Sequence, residues 1–81
     1  MLESVTLIIN EWDPLNVFPY APDDEYMQEI NEIVEYLTKT HNRTVERLGS
    51  MMYELFGRTL GTDVFTKSVD DCYDVAIKML S

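Results

Sequence analysis

Residues able to do catalytic chemistry are few in this chain of 81. His41 is the only histidine, in a polar stretch beside Asn42 and Arg43. A general base needs a partner and a pocket, and this setting offers neither. Cys72 is the only cysteine and falls among Asp70, Asp71 and Asp74. Neighbouring acids oppose thiolate formation, so a core position is expected rather than a nucleophile. Asp23-Asp24-Glu25 offers hard oxygen ligands. It lacks the alternating acids and central glycine of a calcium loop, and capping of a helix start explains the same residues. Glu25, Glu29 and Glu32 share a helix face without the Glu-x-x-His pairing of di-iron bundles. Gly49, Gly57 and Gly61 stand apart, so they make no phosphate-cradling loop. No catalytic residue, metal ligand or cofactor site is expected, and the chain reads as non-enzymatic.

Charge is the more telling property. Fifteen acids against six bases give a net charge of −9. The first 38 residues hold Glu3, Glu11, Asp13, Asp23, Asp24, Glu25, Glu29, Glu32 and Glu35 and no Lys or Arg. Residues 39–81 hold six acids and six bases, so the whole net charge sits on the N-terminal half. Such a surface repels phosphate backbones and anionic membranes, which excludes nucleic acid and membrane partners. It attracts a basic protein and speeds encounter with one, although acidity also serves solubility. No uncharged stretch exceeds nine residues, against the 20 or so that a spanning helix needs. One cysteine allows no internal disulfide, and the start Met-Leu-Glu-Ser lacks the basic residues of a signal peptide, so a cytoplasmic location is expected.

The elements that would position these residues follow from apolar periodicity. A chain of this length forms one domain, residues 1–81, with a folded surface near 5,000 Å² by mass scaling. In residues 2–12, Leu2, Val5, Ile8, Ile9 and Trp12 share one helical face and Leu7 lies off it; a strand over 5–9 is the competitor. Residues 24–39 form a second helix, capped by Asp23, with Tyr26, Met27, Ile30, Ile33, Val34 and Leu37 inward. Its outer face carries Glu25, Glu29, Glu32 and Glu35, whose like charges repel one another at helical spacing. Residues 45–57 form a third helix, capped by Thr44 and stopped at Gly57, with Gly61 in a following turn. Ser68 with Asp71 resembles a capping box for the last helix, whose inward face is Val69, Cys72, Tyr73, Ala76, Ile77 and Leu80. Val75 and Met79 lie on a neighbouring stripe, where they either widen the core contact or meet a second chain. The expected fold is a compact all-α four-helix domain, monomer or weak homodimer.

One long connection remains, the proline-rich loop between the first two helices, Asp13 to Pro22. Prolines bar a helix there, while Leu15, Val17, Phe18 and Tyr20 give it apolar side chains to bury. It is either a rigid crosspiece that closes the core or a binding edge with Trp12 and Tyr20 as anchors.

Asn10-Glu11-Trp12-Asp13-Pro14-Leu15, then Pro22-Asp23-Asp24-Glu25-Tyr26, Ile30 and Ile33, resembles the YugE-like family of small uncharacterised proteins from low-GC Gram-positive bacteria. The likeness extends to Leu55-Phe56-Gly57 and to Ala76–Leu80. It implies an all-α fold and no known activity, ligand or catalytic residue. Similar Trp-Asp-Pro and Asp-Glu-Tyr segments also look like parts of small immunity proteins that neutralise bacterial toxins.

The leading expectation is a protein-interaction domain that meets a basic partner through Trp12, Asp13, Tyr20, Asp24, Glu25, Glu29, Glu32 and Glu35, an immunity-type inhibitor being one version. The alternative is a small-molecule or divalent-metal-binding protein that uses the Trp12–Tyr26 loop.

Overall fold

The 3.6-residue repeat of the first segment resolves as helix α1 (Leu2–Trp12) in the computed structural model, which describes residues 1–18, 20 and 24–81. Val5 and Ile9, one turn apart, are buried, and Ile8 and Trp12 pack beside them. A strand would have turned successive residues to opposite faces. The other helices are α2 (Met27–Lys39), α3 (Val45–Leu60) and α4 (Val69–Leu80). They form a ring in which α1 touches α2 and α4, and α3 touches α2 and α4. Ile9, Ile30, Ile33, Leu48, Met52, Phe56, Cys72 and Ala76 fill its centre without exposure. The total surface, 5208 Å², matches the mass-scaled expectation for a monomeric domain. No helix among the described residues is long and apolar enough to cross a membrane.

α3 and α4 make the most extensive contact, and Gly49 sets its closeness. A Cβ built there would run into Tyr73 Cδ1 and stand 3.3 Å from Tyr73 Cα, so a larger residue would push this crossing apart. The caps agree with the sequence reading. Thr44 Oγ1 accepts from the Arg47 N–H at 3.2 Å. Ser68 and Asp71 make the full reciprocal box, at 3.2 Å and 3.0 Å.

Four boundaries and faces differ from expectation, besides Leu2, which is exposed rather than inward. α2 begins at Met27 rather than at residue 24, and Asp23 lies outside the described residues. Asp24–Tyr26 make a turn, with the Met27 N–H on the Asp24 carbonyl at 3.1 Å, because the Tyr26 side chain is wholly buried and directed back to the end of α1. α3 runs through Gly57 to Leu60 and ends at Gly61, whose φ of 90° only glycine adopts readily. Val75 is buried and Ile77 is 53% exposed, since α4 is covered by α3 on one side and α1 on the other. Val75 therefore widens the core contact, the first of its two readings, and is no contact for a second chain, while the exposure of Ile77 is the departure. Glu29 is the fourth correction: it is 3% exposed, not on an open acidic face.

Candidate functional site

The loop after α1 is organised by one carboxylate. Asp13 ends α1 in the left-handed region (φ 47°), its N–H donating to the Ile9 carbonyl at 2.8 Å. Its side chain then turns into the loop. Oδ1 accepts from the Val17 N–H at 3.0 Å and from the Tyr26 hydroxyl at 2.6 Å, and Oδ2 accepts from the Phe18 N–H at 2.9 Å. The Tyr26 oxygen in turn accepts the Leu15 N–H at 3.0 Å. Asp and Asn tolerate left-handed backbone better than most residues, and Asn16 also adopts it (φ 57°). Pro14 follows directly, where its missing N–H costs nothing the cap needs.

This network fixes protonation. Burial pushes the Asp13 carboxyl up, but the bonds from Tyr26, Val17, Phe18 and Asn16 outweigh it and hold the group below its usual value. The Tyr26 phenol is pushed well above its ordinary range, first by burial and then by its bond to Asp13. At neutral pH the pair is an ionised acceptor and a neutral donor, each committed to the other.

Aromatic rings complete the lock. Trp12 is half-buried and meets Phe56 and Phe65 edge-on, at centroid separations of 5.5 Å and 6.2 Å. Phe56 and Phe65 stack at 5.5 Å, and Phe18 lies edge-on to Tyr26 at 5.8 Å. Phe65, in the connection before α4, is buried at 5% exposure. It stands outside any helical repeat, so no periodicity could reveal it; its neighbour Val64 is exposed.

The eight residues read as one interaction surface therefore divide. Trp12 is engaged with Phe56 and Phe65, Asp13 is engaged inside the loop, and Glu29 is buried. Tyr20 is 95% exposed, and Asp24 and Glu25 are exposed at the turn before α2. Glu32 faces Arg58 of α3 at 3.6 Å, and Glu35 pairs with Lys39 at 2.9 Å. The Lys39 hydrogen bond and charge lower the Glu35 carboxyl. Both pairs are largely exposed and contribute little to stability. They do soften the outer face of α2, where the sequence showed only acids up to residue 38. Arg58 could not be assigned to that face from sequence, because α2 and α3 meet only in the fold.

Glu32, Glu35, Tyr36, Lys39 and Arg58 border an open groove of about 370 Å³ between α2 and α3. Its rim carries both signs of charge, so it selects neither. Among the described residues no three His, Cys, Asp or Glu side chains are grouped to hold a metal ion. His41 is exposed in the turn after α2. Cys72 is fully buried, and burial, with the Asp71 charge, pushes its thiol up to about 11. No family model, curated protein or solved structure matches the chain.

Proposed function

We propose that this chain is a non-enzymatic protein-interaction domain that binds a basic surface of a partner protein through its α1–α2 half. The observation that carries this reading is the exposure of Glu3, Glu11, Asp24 and Glu25 on a half of the molecule with no Lys or Arg before residue 39. None of the four has an ion pair among the described residues. Exposed like charges on a rigid frame raise the encounter rate with an oppositely charged surface. The frame is supplied by the Asp13–Tyr26 lock, which holds the loop and the start of α2 against α1. Tyr20 is the exposed aromatic of this half, and Glu32 and Glu35 form its edge toward α3.

An immunity-type inhibitor of a basic toxin is a specific version, tested by whether a neighbouring gene encodes a toxin. The likeness to YugE-like proteins stays a proposal on its own residues: Asp13 and Tyr26 of that motif build the lock, and Trp12 packs on Phe56 and Phe65. Affinity capture from native extract tests the general reading, with wild type beside an Asp24→Lys, Glu25→Lys, Glu35→Lys variant. A basic protein held by the wild type and lost by the variant is expected. Identical captured sets would overturn the reading.

A further inference from the structure

The sequence pattern assigns Leu2 to the core and leaves Leu7 outside it. In the fold both are open: Leu2 is 46% and Leu7 70% exposed. Met1 lies near Thr38 and Asp13 near Tyr26, so α1 and α2 run antiparallel. Along them Leu2, Glu3, Thr6, Leu7 and Met27 line an open groove of about 400 Å³, and among the described residues of that lining Glu3 alone is charged. Glu11 stands one turn beyond Leu7 and Asp24 one turn before Met27, both exposed. Among the described residues this apolar strip is edged by carboxylate side chains, unlike the α2–α3 groove, which has bases on its rim.

We infer that this groove is the docking site for a basic amphipathic helix of a partner protein. The partner's apolar stripe lies on Leu2, Leu7 and Met27, and Lys or Arg one turn away meets Glu3, Glu11 and Asp24. Charge complementarity selects this occupant. A second copy placed on the same face would set acids against acids, since residues 1–38 hold no base. An anionic lipid surface would be repelled for the same reason. This inference rests on the proposed basic partner and adds where on the α1–α2 half that partner sits.

The test uses the full chain and three synthetic peptides two heptads long. One is a Leu/Lys amphipathic helix, one a scramble of it, and one carries Gln for every Lys. Binding is followed by amide shifts of the isotope-labelled protein. The Leu/Lys helix is expected to bind, with shifts gathered on residues 2–7 and 27. Leu7→Gln, a change at an exposed position, should weaken it about tenfold or more, and Glu54→Lys, at an exposed position on α3, should leave it unchanged. Equal binding of the scramble, or indifference to Leu7→Gln, would overturn the groove and leave the acidic surface standing. Equal binding of the Gln peptide would overturn the basic occupant and with it the reading beneath. No binding of any peptide would overturn the groove as a helix site, while capture by the acidic surface is judged separately.

Discussion

The Tyr26 hydroxyl donates to Asp13 Oδ1 at 2.6 Å and joins the end of α1 to the start of α2 across the longest connection in the chain. The same carboxylate also accepts from the Val17 and Phe18 N–H groups, and the Tyr26 oxygen accepts from the Leu15 N–H. Removing one partner leaves the others short, which costs more than the bond itself contributes.

Tyr26→Phe keeps the ring between Phe18 and Phe56 and removes only the oxygen. It is expected to cost about 1–3 kcal/mol, because the Leu15 N–H is left without its acceptor. Thermal unfolding should fall by roughly 4–8 °C per kcal/mol for a domain of this size. Asp13→Asn should cost a similar amount, and the double variant should cost less than the two together by about 0.5 kcal/mol or more. Additive losses would show that the two side chains act independently.

The lock should respond to pH at both ends. Asp13 is lowered from 3.8 by its hydrogen bonds, so its contribution is present above that value and lost as pH falls through the folded one. Tyr26 is raised from 10.0, so its contribution is present below that pH and lost as pH rises past it. Cys72, raised from 9.0 to about 11, adds to the alkaline loss over that window. Denaturant midpoints measured against pH should therefore decline below about 4 and above about 9. Tyr26→Phe should flatten both limbs and keep only the Cys72 part of the alkaline one. Unchanged slopes would contradict the assignment.

Two glycines should answer substitution with opposite signs. Gly57 lies inside α3, and an added Cβ would meet only Thr62 Cγ2 at 3.9 Å. Gly57→Ala should stabilise by about 0.5–1 kcal/mol through helix propensity. Gly49→Ala gains the same propensity but drives its Cβ into Tyr73, whose Cα is itself 3.3 Å away, so α3 and α4 must part. A net loss of about 1–3 kcal/mol is expected. Chemical denaturation of the two variants decides it, and a stabilising Gly49→Ala would mean that the helices do not cross so closely.

Cys72 should be inert while the fold persists. It is fully buried and its thiol is raised to about 11. Labelling by a thiol reagent at neutral pH should proceed only at the rate of opening and accelerate in denaturant. Rapid labelling of the native protein would show an access route that the packing denies.

The helices were legible because each carries an apolar stripe at helical spacing, and Thr44 and Ser68 announce two of the starts. The end of α3 was misplaced because Gly57 and Gly61 offer equal local signals; only the fold shows which takes a positive φ. The start of α2 moved because Tyr26 serves the loop rather than the helix, a link to a residue thirteen positions earlier that no local window contains. Asp13 and Trp12 stand out in the sequence by type and spacing; in the fold Asp13 holds the loop, and Trp12 packs on Phe56 and Phe65. Glu29 was misread because an even acidic stripe hides which member the fold covers. Leu2 and Leu7 gained meaning only when α2 brought Met27 beside them.

The central claim is that charge on the α1–α2 half carries partner binding. The most direct measurement is the dissociation constant of a captured partner, at about 0.1 M and about 0.5 M salt, for wild type and for the Asp24→Lys, Glu25→Lys, Glu35→Lys variant. The account predicts that wild-type affinity falls with salt and that charge reversal weakens it about tenfold or more at the lower salt. An affinity indifferent to both would contradict it.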